Sequence, residues 1–475
     1  MKPSTRQPHT SAQTSRGGPE HPRAALAIIL VSYFLILLDN SVIFTGLPSI
    51  ASAMDLGPAG LSWVQDAYTL VFGGLLLLGA RAGDLLGRRR VFVAGLAVFV
   101  TASFLIGVAP TGWWLIAARA LQGVGAAVVA PSALSLLTAS FPEGEQRSRA
   151  VAWYAATAGI GASLGMLVGG AAAQWISWRA GFFINVPIGI AMAMLAPRYL
   201  PVTRPQPGRF DLTGAVSATL GIGALVFGII ESADRGWTDP VVLASLAGAV
   251  VVLSVLVLHE RRAEQPIMPL QLFADRRRSG AYAARALYLG AMMGFFFFTT
   301  QLMQGVLGFT AFQAGLGFLP MTTVNFAVAT VFPRVARRFG DAPTLVAGVS
   351  LTLAGMAWLA QIDTTSSYLT GVALPMMLIG AGQGLAFAPL TSFGLAGVRG
   401  EDAGAASGLV NTAHQLGMGT GLAILVAASA GAIDLTSRVA SALTWGTGLL
   451  TLCLVVVLAV ILPAQRRHGA RPRRA

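Results

Sequence analysis

The stretch LLDNSVIFTGLP, Leu37–Pro48, sets one carboxylate, Asp39, inside an apolar run that extends from Ala24 to Ile50. At 1.5 Å per residue that run makes roughly 40 Å of helix, enough to cross a bilayer. A charged acid near the middle of such a helix costs on the order of 2.5–3.5 kcal/mol on insertion scales. An ionisable group at that depth faces a polar cavity or a partner and reads as functional. Asp39 therefore decides two things at once: the chain is a membrane protein, and the other spans are organised around a polar centre.

Working outward, composition agrees. The 475 residues are 55% hydrophobic and 11% charged, with a mean hydropathy of +0.70. Soluble multidomain folds are excluded, and an all-α integral membrane protein follows. The net charge of +13 does not point to nucleic acid, because the arginines lie in short connections between spans and follow the positive-inside rule. The single cysteine, Cys453, sits in an apolar span and leaves no disulfide or cysteine metal site.

Apolar runs bounded by charge, Gly or Pro define fourteen candidate transmembrane helices. Of the 32 Lys and Arg, only Arg179, Arg235 and Arg438 fall in loops on the opposite face, while Arg119 and Arg285 lie within spans. The rest share one side, which places both termini in the cytoplasm. The polar connections divide the chain into a cytoplasmic tail (1–24), a six-helix bundle (25–200), two inserted helices with cytoplasmic linkers (201–279), a second six-helix bundle (280–462) and a basic tail (463–475).

Asp39 can bind a proton when desolvated and release it when hydrated; alternatively it is a structural acid held by a helix dipole or by Ser41. Arg119 lies at a similar depth and can approach the carboxylate or snorkel to the outer interface. Asp66 is expected near the outer rim. Arg285 is expected near the cytoplasmic end of its span, within snorkelling reach. Gly161, Gly165 and Gly169, with Gly170 beside them, make a small-residue face for close helix packing, sliding or static. In GARAGDLLGRRRVF, Asp84, Gly87, Arg88 and Arg89 can form a conformational latch between halves, or a solvated loop.

In the second half, Asn411, His414 and Gln415 share a helix face. His414 can relay a proton or serve as a neutral hydrogen-bond partner. Asn411, Gln415, Gln301, Gln304, Asn325, Phe295 and Trp358 are candidates for a substrate cavity, although such aromatics also face lipid. With Lys2 as the only lysine, a Walker-type nucleotide loop is impossible, and no H-E-x-x-H zinc motif occurs. No metal or cofactor is expected.

Five blocks carry a resemblance. DNSVIFTGLP resembles the first-helix signature D-x-T-x-x-N-x-A-L-P, and GDLLGRRRVF the loop signature G-x-x-x-D-R-x-G-R-R/K. RALQGVGAA resembles R-x-x-Q-G-x-G-A-A, and GASLGMLVGG the antiporter signature G-x-x-x-G-P-x-x-G-G. SWRAGFFINVPIG is similar to S-W-R-W-x-F-x-I-N-x-P-x-G. In this order and at these spans they resemble the major facilitator superfamily, specifically its fourteen-span drug/proton antiporters. Phe44, Ala80, Leu85 and Met166 depart from the signatures.

The resemblance implies the major facilitator fold, with two six-helix bundles plus two extra helices. It implies proton coupling through Asp39 and Arg119, a latch at Asp84, Gly87, Arg88 and Arg89, and an antiporter helix at Gly161–Gly170. It implies a monomeric exporter in the bacterial cytoplasmic membrane, driven by protons and acting on small amphipathic, cationic drugs. Export of one endogenous metabolite or antibiotic, or proton symport, are the alternatives. A membrane enzyme lacks its catalytic cluster, and a sensor lacks a sizeable soluble output domain.

Overall fold

The computed structural model describes residues 21–464 apart from 143, 204, 206, 207, 264, 364, 365, 400 and 401. The expected tails before residue 21 and beyond 464, and Arg204 of the linker, lie outside the described residues. Helices account for nearly all of what remains, and no strand occurs among the described residues.

The first group comprises α1 (Pro22–Met54), α2 (Pro58–Leu86), α3 (Arg88–Gly107), α4 (Gly112–Ser140), α5 (Glu145–Trp175), α6 (Ala180–Phe183) and α7 (Asn185–Tyr199). A hairpin follows, α8 (Leu212–Arg235) and α9 (Pro240–Glu260). The last group is α10 (Arg276–Gly305), α11 (Ala311–Gly317), α12 (Leu319–Phe339), α13 (Asp341–Leu359), α14 (Leu374–Gly394), α15 (Ala403–Ser429) and α16 (Leu435–Val456). Helices α6–α7 and α11–α12 are each one rod broken just ahead of a proline, Pro187 and Pro320, which has no N–H to return to the preceding turn.

Helices overrun the apolar runs that announce them. α1 starts at Pro22, suited by its fixed φ to a first turn. α2 continues through Arg81 and Asp84 until Gly87, whose φ of 94° ends it. Among the described residues, twelve helical stretches are long and apolar enough to cross a membrane. α15, at 27 residues, is long enough but falls outside that set, because glycine and polar side chains dilute it.

With no hydrophobic drive between helices in lipid, close backbone approach is what holds them together. α5 crosses α1 on its glycines. A Cβ on Gly165 would stand 2.7 Å from the Leu38 carbonyl oxygen, and one on Gly169 would stand 2.5 Å from that of Val42. In the last group, α10 and α15 cross at Gly290, Gly417 and Gly421, backbone against backbone.

The two groups meet at the arginine-poor end. There Phe44 faces Phe296 at 5.5 Å between ring centres, Gln304 donates to the Thr45 carbonyl, and Gly170 lies against Ala311. α2 runs beside α15, with Asp66 near Gly419, Gly73 against Gln415 and Leu77 against Gly408. The α8–α9 hairpin packs through α8 on α2 and α15.

Candidate functional site

The polar centre of the first group is built where α1, α4 and α7 converge. Asp39 and Arg119 are both fully buried, and Arg119 Nη1 donates to Asp39 Oδ2 at 2.7 Å. The other carboxylate oxygen accepts from Gln122 Nε2 and Asn185 Nδ2, each at 2.8 Å. Gln122 also accepts from Arg119 at 2.6 Å and donates to Ser103 at 2.8 Å. The guanidinium lies 4.4 Å from the Tyr68 ring centre, and its Nε donates to the Val64 carbonyl. Its Nη2 has no hydrogen-bond partner.

A carboxylate with three donors, one of them a cation, is a satisfied buried charge. Of a polar cavity or a partner, Asp39 has the partner: Arg119 approaches it and does not snorkel, and in this conformation the acid is sealed and neutralised. The glycine face of α5 makes that possible, because Gly165 and Gly169 let α5 lie on the α1 backbone on either side of Asp39.

Gln122 and Asn185 were legible as members of two quoted blocks but not as ligands of the acid. Gln122 had a signal, since it follows Arg119 by one helical turn. Asn185, some 146 positions from Asp39, had none beyond being an amide in a span.

Two expectations about depth are overturned. Asp66 is not at the rim: it is 0% exposed, and neither carboxylate oxygen has a hydrogen-bond partner. α2 begins earlier than its apolar run suggests, so Asp66 lies roughly 12 Å along it, under Gly419 of α15. Arg285 does not snorkel: it is 3% exposed. It donates to Thr391 Oγ1 at 2.8 Å and faces His414 Nδ1 at 3.2 Å. A guanidinium only donates, so that imidazole nitrogen accepts and the ring is neutral. His414 thus belongs to Arg285, apart from the Asp39–Arg119 pair.

The candidate cavity residues do not converge on one chamber. Gln301 and Gln304 edge a cleft of about 570 Å³ at the arginine-poor end, between α1, α5, α10 and α11. Asn325 pairs with Gln383 across the α12–α14 seam at 2.6 Å. Gln415 packs on Gly73, and Asn411 is exposed one turn away. Phe295 is wholly enclosed in the core, and Trp358 is 44% exposed near the end of α13. Helical periodicity groups residues on one face, but the neighbouring helix decides what that face meets.

The loop signature is folded back into its own group. Asp84 pairs with Arg88 at 3.0 Å, and Arg88 reaches the Ser135 carbonyl of α4. Arg89 donates to the carbonyls of Pro197 and Leu200. These contacts brace α2–α3 against α4 and α7; none of them reaches the last group.

Residues 29–422 match the model of the Major Facilitator Superfamily. The chain belongs to that family. It is 42% identical over 407 residues to a cephamycin export protein of Amycolatopsis lactamdurans, covering 85% of this chain and 84% of that one. It is 38% identical to a puromycin resistance protein of Streptomyces alboniger, covering 87% and 83%. Among solved structures it is similar to a peptide transporter in complex with sulfate, with TM-score 0.69, 15% identity, and 93% and 95% of the two chains covered. The human organic anion transporter MFSD10 aligns with TM-score 0.60 at 15% identity, covering 92% and 99%. At such identities these structures establish the fold alone. This facilitator is a multi-pass membrane transporter, a secondary exporter of the drug-efflux kind and not an enzyme.

Proposed function

We propose that this transporter sits in the cytoplasmic membrane of a bacterium and exports amphipathic antibiotics or drugs by alternating access, in exchange for protons. The export reading is supported by relatives named for cephamycin export and for resistance to puromycin and methylenomycin A. Relatives named for single antibiotics favour a narrow cargo. The observation that carries the exchange is the buried Asp39–Arg119 pair. A charge pair at that depth survives only while its partners stay in place, so a movement of α1 against α4 that admits water also admits a proton to Asp39. One elementary charge crossing 100 mV yields about 2.3 kcal/mol, enough to drive uphill export.

In this reading all fourteen rods cross the bilayer, with both termini on the arginine-rich, cytoplasmic side. Six-helix halves at 25–200 and 280–462 rock about a centre flanked by the inserted hairpin, in a monomer. Asp84, Gly87, Arg88 and Arg89 brace the cytoplasmic end of the first half and re-pair as it moves. A cationic cargo, which the family resemblance implies, draws no support from Asp39, since Arg119 already neutralises the acid.

The test is efflux of a dye and antibiotic panel from proteoliposomes under an imposed pH gradient. Export collapsed by an uncoupler, and lost in Asp39→Asn, is the expected result. Undiminished pH-driven export by that variant would remove Asp39 from the coupling.

A further inference from the structure

Arg285 is a buried cation with no counter-charge among the described residues. From α10 through α14 the only acidic residues are Asp341 and Asp363. Asp341 opens α13, and Asp363 follows its end. Asp402 and Asp434 lie at the starts of α15 and α16. Arg285 lies roughly 14 Å along α10, at a level where the last group holds no carboxylate.

Its surroundings are neutral. Nη1 donates to the Thr391 hydroxyl and Nη2 to the His414 ring, while the guanidinium lies 4.7 Å from the Phe387 ring centre. Nε has no partner. Elsewhere the fold gives its buried arginines a carboxylate or backbone carbonyls. Arg119 has Asp39, and Arg278 donates to the carbonyls of Leu272, Ala396 and Gly397. A guanidinium cannot shed its proton, and an unpaired buried charge is costly. Yet the site is not closed: Phe387, Thr391 and His414 are each partly exposed, and Asn411 is exposed one turn from His414. Gln415, on the same face, abuts α2 of the first group, so this face of α15 looks onto the junction between the groups.

We infer that Arg285, with Thr391, His414 and Phe387, binds an acidic group of the exported molecule, a carboxylate attached to an apolar or aromatic body. The carboxylate takes the unpartnered guanidinium Nε–H, and the imidazole Nε2–H is left free to donate as well, while the Thr391 hydroxyl, which donates to the Phe387 carbonyl, accepts from Arg285 and holds the guanidinium in place. Phe387 covers the apolar part. This inference rests on the exporter reading and specifies its cargo. It gives the last group the charge recognition that Asp39, already paired, does not offer.

The experiment uses the full-length transporter purified in lipid nanodiscs, titrated with 1-naphthoate and with 1-naphthamide, its uncharged isostere. Sodium chloride and sodium sulfate form separate arms, and binding is read by thermal shift and tryptophan fluorescence. Saturable binding of naphthoate, at least tenfold tighter than naphthamide, is expected. Arg285→Gln should lose that preference, Arg285→Lys should keep part of it, and Thr391→Val should weaken it several-fold. Equal binding of acid and amide, no binding of either, or an unchanged preference in Arg285→Gln would each overturn the assignment. If Arg285→Gln does not fold, unchanged naphthoate affinity in Thr391→Val does the same. Equal protection by chloride or sulfate at matched concentration would make this a small-anion site and remove the cargo from it. Efflux of neutral and cationic dyes by Arg285→Gln is scored separately, so failure at this site leaves the exporter reading standing, and loss of all efflux by the wild type counts against that reading alone.

Discussion

The two helix groups bury charge in opposite ways. In the first, Asp39 and Arg119 neutralise each other and recruit Gln122 and Asn185, so that both Asp39 oxygens are bonded. In the last, Arg285 stands among a hydroxyl, an imidazole and an aromatic ring with no acid at its level. Both groups have the same kind of packing beneath the charge, a glycine crossing of α5 on α1 and of α10 on α15. The difference is therefore chemical, not architectural. A compensated pair can be carried through a conformational change as a unit, whereas an uncompensated cation creates a demand that something from outside the fold must meet.

The largest effect is expected from breaking the compensated side. Arg119→Gln leaves Asp39 buried beside neutral groups and should cost on the order of 3–5 kcal/mol. The double variant Asp39→Asn/Arg119→Gln should regain most of that in thermal unfolding of the purified protein. A double variant as unstable as the single one would mean that the pairing is not what holds α1 to α4.

Next comes the packing that both sides share. Gly165→Ala drives a methyl against the Leu38 carbonyl and should destabilise by about 1–3 kcal/mol, as overpacking does. Gly161→Ala has a single contact under 3.0 Å, the Leu37 Cβ at 2.9 Å, where Gly165 has two, and should cost less than half as much. Equal losses in the same melting assay would show that the α5 crossing tolerates displacement and does not set the position of Asp39.

Asp66 sharpens the comparison, because it is an acid in the first group that is as partnerless as Arg285 in the last. Asp66→Asn removes no hydrogen bond and should change stability by less than about 1 kcal/mol. A drop as large as that of Arg119→Gln would reveal a partner that forms in membranes. The smallest effect belongs to the loop. Asp84→Asn removes a half-exposed pair one turn apart in sequence and should cost about 0.5 kcal/mol, a difference that 1 M salt abolishes. A salt-independent loss would mean that Asp84 holds Arg88 for its contact with α4.

Sequence alone determined a great deal here. Hydropathy and arginine placement specify a polytopic helical protein, since the bilayer's demand for satisfied backbone and its charge asymmetry act on local composition. Order and spacing of the signature blocks reach the family, and the spacing of Gly161, Gly165 and Gly169 reaches a packing face, because helical periodicity is a local property. What only the tertiary structure decided is which charges meet. Asp39 and Asp66 look alike as single acids in apolar runs, yet one is given Arg119, Gln122 and Asn185 and the other nothing. Arg119 and Arg285 look alike as lone arginines, yet only one finds a carboxylate. A buried charge is made tolerable or costly by atoms within about 3 Å of it. In a bundle of helices those atoms come from distant parts of the chain, brought within reach by crossings whose angles and registers no single helix encodes.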